Sequence, residues 1–207
     1  MTDGWSRGTC VKVCRKSHVY NCGDDDHNIY FVESGQIKTT TYSLDGRECL
    51  LSIYAGGDLF GELCIRGRDR TETATAMCGS VVRRVPFLQF RETLRKGELL
   101  DAYLTHLTLR LSEQQEIITN LVTMDCERRL AAALLILARK LGRPRGTGTE
   151  IDQRITQEEL SDMVGTTRSR VGFFLSRFCA AGLVHRAPNS FIVVDEVHLA
   201  GFLELSA

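Results

Sequence analysis

Residues Ile155 to Phe178, ITQEELSDMVGTTRSRVGFFLSRF, decide the reading of this chain. The stretch predicts two short helices joined by a tight turn. Thr156 is placed to N-cap the first, and Glu159, three residues on, to close a capping box. Leu160, Met163 and Val164 repeat at helical spacing and give that helix one buried face. Gly165 follows, a residue that tolerates the left-handed conformation of a sharp exit. Thr167 caps a second helix, in which Val171, Phe174, Leu175 and Phe178 form an apolar stripe. That stripe leaves Arg168, Ser169, Gly172, Phe173 and Ser176 facing outward. Between Gly165 and Arg186 stand Arg168, Arg170, Arg177 and Arg186, with no Asp or Glu. A capped helix pair with a basic outward N-terminus is the layout that sets a recognition helix into the DNA major groove. The spacing alone is equally compatible with an ordinary helical hairpin and a solvated basic face.

Composition bounds the rest. The 207 residues, 43% apolar and 25% charged, suffice for two modest domains. The formal net charge is zero, so any nucleic-acid footprint is local. No apolar run is long enough to span a bilayer, and the polar N-terminus does not resemble a signal peptide; a cytoplasmic protein without membrane partners is expected. The eight cysteines are scattered without a CxxC pair, and most are expected to be small buried hydrophobes. Cys10, Cys14 and Cys22 form a local cluster with His18 and His27 nearby, but their spacing is not a common zinc or ferredoxin pattern. Cys22 with either histidine lacks an oxyanion-type glycine motif and an oriented third group, so no enzyme is expected.

Outward from the helix pair, residues Val11 to Val85 are rich in β-branched and aromatic residues punctuated by turn signals. Tyr30-Phe31-Val32, Ile37 to Tyr42, Cys49 to Tyr54 and Val81 to Val85 predict strands, with Asp45-Gly46 as a hairpin turn. Such spacing argues a small antiparallel roll or barrel. Pro86 to Leu94 opens helical structure, interrupted at Lys96-Gly97. Next, Leu100, Leu104, Leu107, Leu111, Gln114, Ile118 and Leu121 alternate four and three residues apart. This heptad seam either packs against the roll or, as its strict 3.5-residue period favours, against the same helix of a second chain. Gln114 sets the register of that seam or points at a ligand. Asp125 predicts an N-cap for a helix lined by Leu130, Leu134, Leu137 and Leu141, and Met124-Asp125 is the expected hinge. Arg143 to Thr149, RPRGTGT, reads as a basic loop. Leu183 to Arg186 and Phe191 to Val194, joined through Ala187 to Ser190, read as a wing hairpin, with Asp195 capping a last short helix.

Within the roll, Gly57-Asp58-Leu59-Phe60-Gly61-Glu62-Leu63 is followed by Arg70-Thr71. A glycine turn, a carboxylate for a hydroxyl and an arginine for an anion suit a sugar phosphate. These segments, with the long helix ending NLVTMD and the helix pair, resemble the cAMP receptor protein/FNR family of bacterial transcription regulators over almost the whole chain.

The resemblance implies an α+β architecture: a β-roll of the cyclic-nucleotide-binding kind in residues 1–97, beginning near the N-terminus, a dimerisation helix in 98–124 and a winged helix-turn-helix in 125–207. It implies a homodimer on double-stranded DNA with a palindromic operator, RNA polymerase as a partner, and cAMP or another cyclic nucleotide as effector. Gly61, Glu62 and Leu63 then lie at the ribose, Arg70 and Thr71 at the cyclic phosphate, and Gln114 and Gln115 at the base. Three departures stand out. Gln114-Gln115 replaces a Thr-Ser pair, Glu72 stands where a small residue is usual, and the loop from Glu62 to Arg70 is short. A carboxylate beside the phosphate arginine weakens anion binding. For DNA, the resemblance assigns Arg168 to guanine, Ser169 and Phe173 to two positions usually polar and base-reading, and Thr156, Gln157, Thr167 and Arg170 to phosphates. A redox- or metal-sensing regulator using its cysteines, or a ligand-independent one, is the alternative on this scaffold.

Overall fold

The computed structural model describes residues 8–67, 69–97, 99–151, 155–186 and 191–205. The chain divides into two compact units, Met1–Leu111 and Ser112–Ala207.

The first unit is built from eight strands: β1 (Thr9–Val13), β2 (His18–Tyr20), β3 (Asn28–Ser34), β4 (Gln36–Tyr42), β5 (Glu48–Ala55), β6 (Leu59–Phe60), β7 (Thr73–Ala76) and β8 (Ser80–Pro86). They form two antiparallel sheets, ordered β1-β8-β3-β6 and β2-β7-β4-β5. Residues from both sheets meet in one core, including Tyr30, Val32, Phe60 and Val82 from the first and Tyr20, Ile37 and Tyr54 from the second. Alternate side chains of a strand face opposite ways, so β3, β6 and β8 send Tyr30, Phe60 and Val82 into this core and Ile29, Leu59 and Val85 to the other face of their sheet. Asp45-Gly46 turns β4 into β5, in the predicted place. Gly35 joins β3 to β4 at φ +87°, and a Cβ there would lie 2.7 Å from the Ser80 backbone, so only glycine fits. Helix α1 (Phe87–Arg95) closes a second cluster around Ile29, Leu59, Cys64, Val85 and Phe90.

Helix α2 (Leu100–Thr123) starts in the first unit and ends in the second. The second unit continues with α3 (Cys126–Leu141), β9 (Arg143–Arg145), β10 (Gly148–Ile151), α4 (Gln157–Val164), α5 (Arg168–Ala180), β11 (Val184–His185), β12 (Ile192–Val194) and α6 (Glu196–Leu205). Asp125 caps α3 by accepting from the Arg128 N–H, and Leu130, Leu134 and Leu137 are buried along it. RPRGTGT is not an open loop: β9 and β10 pair as a hairpin and extend the sheet β11-β12-β10-β9. The stretch alternates too briefly to declare itself as strand, and it is the pairing of β10 with β12 that fixes it. The wing strands β11 and β12 pair as expected, while their connection through Ala187 to Ser190 lies outside the described residues.

Candidate functional site: an anion cradle and a recognition helix

In the roll, the turn after β6 sets Gly61 at φ +82° as the start of a short 3-10 helix, Glu62–Arg66. A Cβ on Gly61 would meet the Arg70 guanidinium at 3.0 Å, so this close approach also requires glycine. Arg70 is buried with 4% of its surface exposed. Its Nη1 donates to the Gly61 carbonyl at 2.6 Å, and its Nη2 donates to the Asn28 carbonyl and to Asp26 Oδ2, the latter at 3.0 Å. The guanidinium lies 4.0 Å over the Tyr20 ring. Asp26 also accepts from the Tyr30 hydroxyl at 2.8 Å and from the Asn28 side chain. Burial alone would raise the Asp26 carboxyl, but those hydrogen bonds and the Arg70 charge hold it below its ordinary range.

Of the predicted site residues, Gly61 and Arg70 therefore touch, beside the carboxylate of Asp26, which the sequence reading did not single out. Leu63 and Thr71 are exposed. Glu72 is buried and accepts from the Tyr20 hydroxyl at 2.9 Å. Burial, then the charge of Glu62, pushes its carboxyl above the usual range. Arg110, on α2, donates to Ser52 Oγ at 2.7 Å and to the Tyr54 hydroxyl at 2.8 Å, with its Nε 3.9 Å from Glu62. The buried polar atoms here that meet no hydrogen-bond partner among the described residues include Glu62 Oε2, an acceptor, and the Arg70 Nε–H, a donor. Each such atom costs about 1–3 kcal/mol while unmet. A ligand carrying a hydroxyl and an anionic oxygen supplies both partners, and a cyclic nucleotide is such a ligand.

Sequence reasoning missed Asp26 and Arg110. Arg110 left a trace as the only Asp, Glu, Lys or Arg between residues 102 and 112. Asp26 ends an acidic run, Asp24-Asp25-Asp26, just before β3. Among the described residues no three His, Cys, Asp or Glu side chains stand where they could jointly hold a metal. Cys10, Cys14 and Cys22 are exposed free thiols.

Helix α2 buries none of its 24 residues. Along the seam, Leu104 is 51% exposed, Leu111 60% and Ile118 59%, while Leu100 and Leu121 are also exposed and Leu107 is half-buried. The face turned to the roll is a different one, carrying Tyr103 and Arg110. Gln114 and Gln115 belong to the second unit and are exposed.

In the second unit, Thr156 Oγ1 accepts from the Glu159 N–H at 3.1 Å and Glu159 Oε2 accepts from the Thr156 N–H at 2.9 Å, completing the capping box. Gly165 exits α4 at φ +69°. Arg129 Nε donates to the Val164 carbonyl at 2.9 Å and ties that exit to α3. Thr167 caps α5 through the Arg170 N–H. Val171, Phe174, Leu175 and Phe178 are buried, leaving Thr167, Arg168, Ser169, Arg170 and Phe173 exposed. Thr156 is exposed and Gln157 half-buried at the start of α4, and Gln157 sits close against Gly172 of α5. Arg177 pairs with Glu127 at 2.9 Å, so it is less available to DNA than its place in the basic run implied.

Known proteins agree with this layout. Residues 10–96 match the cyclic nucleotide-binding domain and residues 128–202 the Crp-like helix-turn-helix domain. A CRP-like cAMP-activated global transcriptional regulator of Mycobacterium tuberculosis (strain CDC 1551 / Oshkosh) is 31% identical over 92% of this chain and 86% of that protein. An anaerobic regulatory protein of Haemophilus influenzae is 27% identical over 94% and 76%. Among solved structures, a CRP-family transcriptional regulator from Thermus thermophilus has a TM-score of 0.77 at 25% identity, covering 94% of this chain and 96% of that one. A mutant of CooA from Carboxydothermus hydrogenoformans has a TM-score of 0.80 at 21% identity, covering 96% and 89%, a likeness of fold.

Proposed function

The chain belongs to the cAMP receptor protein/FNR family of transcription regulators, with a cyclic nucleotide-binding domain and a Crp-like helix-turn-helix, and from that premise we propose that it works as a homodimer whose operator binding is set by a cyclic nucleotide in the roll. The observation that carries the effector is the pair of buried, unmet atoms at Glu62 Oε2 and the Arg70 Nε–H. Glu62 would accept from a ribose hydroxyl, and Arg70 would hold the phosphate. Gly61, Asp26 and Asn28 accept from Nη1 and Nη2 and fix the guanidinium, so binding spends no side-chain entropy on orienting it, while the Asp26 charge lowers its pull on an anion. The relatives that resemble this chain are regulators, which supports a binding role for the site over a catalytic one.

The exposed leucine seam of α2 supports a parallel pairing of two copies. Each copy then presents one α5 to one half-site of a palindrome, the half-sites about 34 Å apart. Ligand in the roll biases the packing of the paired helices, and the break between α2 and α3 at Met124-Asp125 passes this to the recognition helices. The shift equals the ligand's difference in affinity between the two states. RNA polymerase is the partner at the promoter, in the cytoplasm. Isothermal titration with cAMP and with cGMP tests the effector. The wild type should bind one of them, and Glu62→Ala should lose most of that affinity; heat-silent titrations with both, alongside an unshifted melting temperature, would contradict the proposal.

A further inference from the structure

Phe173 is 61% exposed on the outward face of α5, and its ring has two close neighbours. Its ring packs edge-on against the buried Phe174 with centroids 5.7 Å apart, and the Arg177 guanidinium lies 5.9 Å over it. Ser169 and Ser176, its neighbours one turn away on either side, and the adjacent Gly172 are too small to cover the ring. Basic residues near it, Arg168 and Arg170, are exposed and would hold the helix to phosphate and base. A lone exposed hydrophobe on a protein surface is ordinary. One on the outward face of a capped helix, between exposed basic residues and small neighbours, is positioned to touch a base edge.

The edges of base pairs in the major groove present hydrogen-bonding groups, with one apolar exception, the C5-methyl of thymine. We propose that Phe173 reads that methyl group, so that the half-site contains one thymine selected by apolar contact rather than by hydrogen bonding. Ser169, one turn earlier, is too short to compete for the same methyl, and Arg168 is left to read its own base. The inference rests on the DNA-binding reading of α5 and adds to it the chemical feature recognised. A guanine or adenine edge at that position would face the ring with unmet polar groups, which gives discrimination against purines as well as preference for the methyl.

The test uses the full chain. Duplexes selected from a randomised pool define the operator, and each thymine of either strand is then replaced by deoxyuridine, which removes only the methyl. One buried methyl is worth ~0.8 kcal/mol, so at one position per half-site the wild type should bind about fourfold more weakly. Phe173→Ala should bind the thymine and uracil duplexes equally, and Phe173→Leu should keep part of the preference. Cytosine at that position should bind more tightly once it is 5-methylated, which separates the methyl group from the rest of thymine. A wild type indifferent to every thymine, or a Phe173→Ala variant with an unchanged thymine-to-uracil ratio, overturns the proposal while leaving sequence-specific binding in place. A selection that enriches no sequence overturns both.

Discussion

The Tyr20 hydroxyl donates to Glu72 Oε1 at 2.9 Å, with both side chains buried. The same Tyr20 ring lies 4.0 Å beneath the Arg70 guanidinium, so a carboxylate with a raised pKa stands just behind the anion cradle. That arrangement distinguishes this roll from one with a small residue at position 72.

Glu72 gives the first prediction. Burial raises its carboxyl above the 4.5 expected in the unfolded chain, and the charge of Glu62 adds to that rise. A carboxyl raised by folding contributes stability below its unfolded pKa, and the contribution is lost as pH rises through the folded value. Glu72→Gln keeps an acceptor for Tyr20 and removes the titration. Its melting temperature minus that of the wild type should therefore grow as pH is raised from about 4 towards 8, and its affinity for an anionic ligand should increase. Parallel melting curves across that range would contradict the placement of Glu72.

The seam of α2 gives the second. Ile118→Glu puts a carboxylate of each copy into the proposed interface, at a cost on the order of 3 kcal/mol, or roughly a hundredfold in the dimer constant. Because Ile118 is 59% exposed in the single chain, the fold of each copy should survive. Sedimentation equilibrium should find the wild type at twice the chain mass and the variant shifted to the single chain. A wild type that sediments as one chain would remove the paired helices from the account.

Arg168 and Arg170 separate reading from holding. Arg168→Ala should flatten the preference among operator variants, about 1–3 kcal/mol at one base pair. Arg170→Ala should weaken all duplexes alike and lower the slope of log affinity against log salt by about one contact. Identical effects of the two substitutions would mean that the roles are misassigned.

The capping box at the head of α4 gives a prediction about stability alone. Thr156→Ala removes the acceptor for the Glu159 N–H and should cost ~1 kcal/mol, read from chemical denaturation. Thr167→Ala should cost a similar amount at α5, and an unchanged midpoint in both would show that the caps hold little.

Local chemistry made much of the second unit legible. Thr156, Glu159, Gly165 and Thr167 announce their roles within four residues of the groups they serve, and the structure places all four as the sequence predicts. The roll was legible as strands and turns, but its wiring was not. Arg70 finds Asp26 across 44 residues and Arg110 finds Ser52 across 58, distances at which no periodicity carries a signal. RPRGTGT failed for a related reason: three-residue strands with a proline look like a loop until a partner strand is beside them.

Control of the recognition helices by the roll is measured as operator affinity with and without saturating cyclic nucleotide. Fluorescence anisotropy on the selected palindrome should show wild-type affinity changed by roughly tenfold or more by the nucleotide, with Glu62→Ala unresponsive. Equal affinity in its presence and absence, for a protein that calorimetry shows to be saturated, would contradict control of the recognition helices through the roll.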